Sequence, residues 1–159
     1  MGKLKLTPNQ DVETNIQMVL QRVVELERAQ GLSDEEIKCK YTCGCCGPLV
    51  DMVAVLLEVH TKQKVRKDIG SVMPQHCSIS IPDPTTKNQP PILRKKIFYD
   101  ILGRHDETEK MQWRKDLDYL QTEVIKKYDG RHSEWEKGCH LILTQLLEEL
   151  ESSSSNQSE

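Results

Sequence analysis

The sequence contains few aromatic side chains and no long apolar run. Aromatic residues make up 4% of the chain, with a single phenylalanine, Phe98. The longest apolar stretch, residues 49–59, is interrupted by Asp51 and Glu58 and is shorter than the roughly 18 residues of a membrane-spanning helix. Residues 1–7 are too short and too polar to form a secretory signal. We therefore expect a cytoplasmic or nuclear protein with a lean aliphatic core and no membrane partner.

Aliphatic residues recur at spacings of three and four, which is the pattern of amphipathic helices. One such stripe runs from Val12 to Leu26, a second over 113–128 and a third over 135–150. Ser33 and Glu36 form a capping box, which predicts a helix start. Residues 49–59 predict a buried central helix. Together these patterns predict an all-α fold, a small multi-helix bundle of five or six helices with a Cys-rich turn.

Prolines interrupt the middle of the chain. Five of them lie between residues 74 and 91 and exclude a long helix there. Within this crossing segment, residues 77–81 alternate like a short edge strand, whereas residues 92–102 are interpreted as a short amphipathic helix. We predict an N-terminal helical part (1–91) with the Cys cluster and a Pro-rich linker, a C-terminal helical hairpin (92–151) and a disordered tail (152–159), forming one compact domain.

Four of the six cysteines lie between residues 39 and 46. Two residues separate Cys43 from Cys46, and Gly47 follows, so that two thiolates could bind one tetrahedral zinc ion. In a reducing compartment such cysteines are metal ligands or free thiols rather than disulfides. We predict a structural zinc site, with a cluster of reduced thiols as the alternative. The remaining ligands could come from Cys39, His60, His76, Cys77, Cys139 or His140.

Motifs of enzymes are absent from the sequence. It contains no Gly-rich phosphate loop, no nucleophile elbow and no HExxH motif. His76 precedes Cys77 directly and Cys139 precedes His140, but a nucleophilic cysteine needs a base that faces it in space, which adjacency does not supply. We predict no catalytic residue and a non-enzymatic regulatory or adaptor protein. Its apolar helical stripes would bind another protein or a second copy of the chain.

The charge is distributed unevenly along the chain. Residues 60–104 hold nine basic and three acidic residues, whereas both flanking parts are net negative. Clusters of basic residues can contact phosphates, so a nucleic-acid-binding accessory protein is the alternative function. The basic residues in question are Lys62, Lys64, Arg66, Lys67, Arg94, Lys95 and Lys96.

A short Cys-rich segment carries the one resemblance to known proteins. The stretch 42–47, Thr-Cys-Gly-Cys-Cys-Gly, together with the helical segments and the Ser-rich tail, resembles small cysteine-rich accessory proteins of viruses. The stretch covers under a tenth of the chain. The resemblance implies a viral accessory role and assigns no functional residue.

Overall fold

The computed structural model describes residues 3–70 and 76–157, with side chains described up to residue 151. The described residues form five α-helices and a four-stranded antiparallel sheet. The predicted all-α bundle is therefore wrong, and the fold is mixed α/β. The helices are α1 (Val12–Ala29), α2 (Asp34–Lys40), α3 (Cys46–Thr61), α4 (Lys110–Thr122) and α5 (His132–Gln157). The strands are β1 (Arg66–Ile69), β2 (Cys77–Pro82), β3 (Lys96–Asp100) and β4 (Gly103–His105).

The sheet is a simple meander with the strands in chain order. Ile79 of β2 lies opposite Lys67 of β1 on one side and Tyr99 of β3 on the other. The segment predicted as an edge strand is therefore an inner strand. Residues 96–100, which were predicted to be helical, form β3. That prediction is wrong because a short apolar run does not distinguish a buried strand from a buried helix.

Helix α3 is the centre of the core, as the sequence predicted. Val53, Leu56 and Leu57 are completely buried. Helix α3 packs against β2, α1 and α5. Because these elements hold α3, its first residue, Cys46, is fixed beside Cys77 at the start of β2. The fold thereby places the Cys-rich turn against the sheet.

Helices α2 and α5 begin and pack largely as their sequence patterns indicate. Ser33 caps α2, and Glu36 closes the capping box, so that prediction is confirmed. The apolar stripe of α5 is buried against α1 and α3. The predicted hairpin partner, α4, directs Trp113 and Leu117 instead towards Phe98 of β3, where the three form a small apolar cluster of their own. Helix α4 packs there because the sheet, which the sequence analysis did not predict, supplies the apolar side chain of Phe98.

The proposed boundary near residue 91 falls in the connection between β2 and β3, two strands that pair with each other. Helix α5 continues to Gln157, into the segment predicted as a tail. The division into an N-terminal part, a C-terminal part and a tail stays a prediction. Over residues 3–70 and 76–157, none of the helices combines the length and the apolar composition that crossing a membrane requires.

Candidate functional site

His60 lies in the last turn of α3, and the other residues predicted as zinc ligands occupy three separate places. Cys39 and Cys43 lie together with their sulfur atoms 3.6 Å apart. A second group consists of the thiols of Cys46 and Cys77 with the imidazole of His76, which influence one another electrostatically. The third is on α5, where the buried Cys139 interacts with Cys45 and the adjacent His140 is exposed.

The predicted ligands therefore do not form one group. Within residues 3–70 and 76–157, no group of three or more His, Cys, Asp or Glu side chains has the arrangement of a metal site. The physical reason is local geometry. Cys43 lies in the turn before α3 and faces back to Cys39, whereas Cys46, in the first turn of α3, faces the sheet. Cys43 and Cys46 thus have different neighbours, and no described group supports the metal-binding interpretation; zinc as a cofactor stays an untested prediction.

The group of Cys46, Cys77 and His76 combines a thiol with a possible base. Cys46 lies at the start of α3. Cys46 is the first residue of this helix, and no side chain of a described residue caps it. The N-terminus of a helix carries partial positive charge, which favours an anion such as a thiolate. Cys46 is 7% exposed, so its sulfur is largely shielded from water.

His76, directly before β2, lies next to this thiol. Its Nε2 atom is 2.8 Å from Oδ2 of Asp100, the last residue of β3. Its other ring nitrogen, Nδ1, is buried and has no hydrogen-bond partner of normal geometry among the described residues. Since Asp100 occupies Nε2, Nδ1 is the ring atom left to exchange a proton with Cys46.

Asp100 is 2% exposed and is surrounded by hydrogen-bond donors. Besides His76, its carboxylate accepts hydrogen bonds from Nε2 of His105 at 2.8 Å, from Nε1 of Trp113 at 2.7 Å and from the backbone N–H of Leu102 at 2.9 Å. The Trp113 ring also stacks on His105, with ring centres 4.4 Å apart, and meets the edge of His76. These contacts fix both the carboxylate and the His76 ring.

The charges of this group are mutually dependent. Burial would lower the pKa of His76, but the hydrogen bond to Asp100 and the neighbouring Cys46 raise that pKa to about 9. Burial would raise the pKa of Cys46, but His76 and the backbone N–H of Cys77 outweigh it and lower the pKa of the thiol. The pKa of Asp100 is also lowered, because hydrogen bonds from His105 and His76 outweigh the effect of burial. The shifts of Cys46 and His76 therefore both favour a thiolate beside an imidazolium over the neutral pair.

Cys77 differs from Cys46 although it lies in the same group. Burial raises the pKa of Cys77 to about 11, and the negative charge of Cys46 acts in the same direction. Cys77 is therefore a neutral thiol that donates towards Cys46. Of the two, only Cys46 is suited to act as a nucleophile near neutral pH.

Sequence reasoning named Cys46 and His76 but missed Asp100, His105 and Trp113. The two named residues were assigned to a metal site because their spacing along the chain suggested ligands. The signal available for Asp100 is its position at the end of an apolar run, residues 97–99. Without knowledge that this run is a strand next to β2, that position does not indicate contact with His76.

The basic residues proposed for nucleic-acid binding do not form one patch of unpaired charge. Lys67 pairs with Asp51 at 2.8 Å, and Lys96 lies 3.8 Å from Asp68. The Arg94 guanidinium donates to the backbone carbonyl of Gln89. The other members, Lys62, Lys64, Arg66 and Lys95, are exposed. Nucleic-acid binding stays an untested prediction.

Comparison with known proteins adds no assignment to this geometry. No protein-family model, no curated protein and no solved structure matches the chain. The functional argument therefore depends on the chemistry of the site alone.

Proposed function

We propose that this protein is a thiol-dependent acyl-transfer enzyme, a hydrolase or a transferase, with Cys46 as its nucleophile. The observation that carries the proposal is the chain of contacts from a thiol at a helix start, through His76, to the buried carboxylate of Asp100. A nucleophile, a base and a third group that orients the base are the parts that nucleophilic catalysis requires. The non-enzymatic adaptor predicted from the sequence stays an untested alternative.

The reaction would proceed in two steps. The Cys46 thiolate attacks the carbonyl carbon of an ester, thioester or amide, forming a C–S bond. The bond from the carbonyl carbon to the alcohol, thiol or amine breaks, His76 gives its proton to this leaving group, and a thioester on Cys46 remains. Water or a second nucleophile then gives a proton to His76 and attacks the thioester carbon, so that the C–S bond breaks and the Cys46 thiolate is restored.

The start of α3 is also suited to the negative charge that develops on the carbonyl oxygen. The first backbone N–H groups of a helix have no partner within the helix. Gly47 belongs to this first turn, and a Cβ atom added to it would meet no described atom within 4 Å. An acyl group could therefore approach the helix start closely, with its oxygen directed at backbone donors. On the inner side, the void lined by Cys46, Cys77 and Asp100 measures only about 10 Å³ and leaves no room for substrate.

The test is transfer of an acetyl group from p-nitrophenyl acetate to the protein at neutral pH. The protein carries Cys43→Ser, because the pKa of Cys43 is also lowered, to about 7, by a hydrogen bond from Cys39, and this thiol would compete. We expect rapid release of p-nitrophenolate and one acetyl group on Cys46, located by mass spectrometry of peptides. His76→Gln should lower the acylation rate by roughly 100-fold or more.

Cys77→Ser is the matched control, because it removes a neighbouring thiol and keeps the nucleophile and its base. Its acylation rate should stay within about a factor of three of the parent, a small change beside the effect expected for a catalytic base. Circular dichroism of each variant verifies that it is folded. Acetylation mainly at another residue, or equal rates with and without the His76 imidazole in folded protein, would overturn the proposal.

A further inference from the structure

Two further thiols form a pair that does not include any of the three residues proposed for acyl transfer, Cys46, His76 and Asp100. Cys39 is in the last turn of α2, and Cys43 lies in the connection that leads to α3. Both are free cysteines, and their sulfur atoms are 3.6 Å apart. We propose that Cys39 and Cys43 form a dithiol that a hydroperoxide oxidises reversibly to an intramolecular disulfide.

The surroundings direct both sulfur atoms to the same point. The backbone carbonyl oxygen of Leu120, on α4, is 3.8 Å from the sulfur of Cys39 and 3.7 Å from that of Cys43. The Thr42 hydroxyl is 3.5 Å from the Cys43 sulfur. Both thiols can therefore donate to the same carbonyl oxygen, which keeps the two sulfur atoms together.

The two thiols differ in access. Cys39 is 0% exposed, whereas Cys43 is half-buried. A peroxide dissolved in water therefore reaches Cys43 first. Cys39 is protected from direct attack but lies beside any product formed on Cys43. This asymmetry is what a peroxide-reactive cysteine with an adjacent resolving cysteine requires.

Ionisation supports the same order of events. The hydrogen bond from Cys39 lowers the pKa of Cys43 to about 7 against the opposing effect of burial, and the Thr42 hydroxyl and the charge of His76 add to the lowering. The same hydrogen bond and burial raise the pKa of Cys39. At pH 7 roughly half of Cys43 is thus thiolate, the form that reacts with peroxide.

The chemistry balances with a hydroperoxide as the oxidant. The Cys43 thiolate attacks one peroxide oxygen, an S–O bond forms and the O–O bond breaks. With hydrogen peroxide, the departing hydroxide takes up a proton and leaves as water. The Cys39 sulfur then attacks the Cys43 sulfur, so that an S–S bond forms and the S–O bond breaks. The second hydroxide leaves as water with the Cys39 proton.

The closing step requires a small movement. Bonded sulfur atoms are about 2.05 Å apart, so the two atoms must approach by about 1.5 Å, which side-chain rotation can supply. Cys45 and Cys139 serve as a comparison for peroxide access, because both are buried whereas Cys43 is partly exposed.

The experiment uses the full chain, reduced and then treated with hydrogen peroxide in small molar excess. Remaining thiols are blocked with iodoacetamide, and disulfides are located by peptide mass spectrometry. We expect a Cys39–Cys43 disulfide that dithiothreitol reverses. Its rate of formation should rise about tenfold between pH 6 and pH 8, as Cys43 becomes ionised.

Variants separate the two roles. Cys39→Ser should retain the peroxide reaction but stop at a sulfenic acid on Cys43, which dimedone traps, whereas Cys43→Ser should lose both products. Cys139→Ser, the matched control, should form the disulfide at the parent rate. A disulfide between other cysteines, or failure of folded, reduced protein to form this one, would overturn the proposal. Cys46→Ser should keep the disulfide and lose acyl transfer, so the two proposals fail independently.

Discussion

The Asp100 carboxylate determines the charge of His76, and neutralising it by Asp100→Asn is the strictest test of the site. The substitution keeps the size of the side chain but replaces one oxygen by an NH₂ group. Oδ1 accepts from His105 and from the backbone of Leu102, and Oδ2 accepts from His76 and Trp113. Whichever position the amide nitrogen takes, it therefore faces two donors and two hydrogen bonds are lost.

The size of the effect follows from these contacts. Hydrogen bonds to a charged group contribute about 1.5–3 kcal/mol each, so the loss of two should lower the free energy of unfolding by about 3–6 kcal/mol. The pKa of His76 rises from 6.5 to about 9, and Asp100 is the largest cause of that rise. At 1.36 kcal/mol per unit, the raised pKa corresponds to about 3 kcal/mol of stability. Without the carboxylate, burial dominates and the pKa should fall to 6.5 or below.

The sign of the pH dependence is fixed by the direction of the shift. Because the pKa of His76 is higher in the folded than in the unfolded protein, its contribution to stability is complete below about pH 6.5. That contribution is lost as the pH rises through about 9. Urea unfolding between pH 6 and pH 9.5 should therefore show falling stability with Asp100 and a flatter profile with Asn at this position.

Both proteins in this comparison carry Cys43→Ser and Cys46→Ser. A thiol with a lowered pKa contributes stability that increases with pH, and each of these two thiols would oppose the His76 effect in the same window. Removing the Cys46 thiol also moves the His76 midpoint somewhat below 9, since Cys46 contributes to the raised pKa. NMR titration of the imidazole Cε1–H signal measures this midpoint directly, and His76→Gln identifies the signal.

Asp116→Asn on the exposed side of α4 is the matched control and should change stability by less than about 0.5 kcal/mol. Two results would refute the reasoning. One is a His76 midpoint that does not move when Asp100 becomes Asn. The other is stability that is independent of pH between 6.5 and 9 in the protein that retains the carboxylate.

Three further substitutions test the packing around the site by urea unfolding at pH 7. Trp113→Phe keeps the apolar ring and removes the hydrogen bond to the central carboxylate, which should cost about 1–3 kcal/mol. Lys40→Met leaves the buried Glu27 charge without its cation and should cost about 3–5 kcal/mol, and Glu27→Leu in addition should recover most of that loss. Leu57→Ala should cost about 2–5 kcal/mol, whereas Leu141→Ala, at an exposed position, should cost under about 0.5 kcal/mol; equal losses would contradict the assigned core.

Local signals in the sequence were sufficient for most helices. The capping box at Ser33 predicts the start of α2, and the apolar stripe from Val12 to Leu26 predicts α1. The sheet could not be predicted in the same way, because pairing of β2 with β3 joins residues separated by the Pro-rich connection. Nothing near Phe98 in the sequence indicates that Ser80 lies opposite it.

The same distinction explains what happened to the functional site. A zinc prediction from Cys43 and Cys46 assumes that residues close in sequence act together. In the fold, these two thiols have different partners. Cys43 contacts Cys39, four residues earlier in the chain, whereas Cys46 contacts His76, which directly precedes β2. The two cysteines therefore have different surroundings. Those of Cys43 are determined by neighbours in the sequence, whereas those of Cys46 are determined by strand pairing. The surroundings of Cys46 depend on Asp100, which the register of β3 against β2 brings to His76, and this is why Cys46 and His76 were named from the sequence while Asp100 was not.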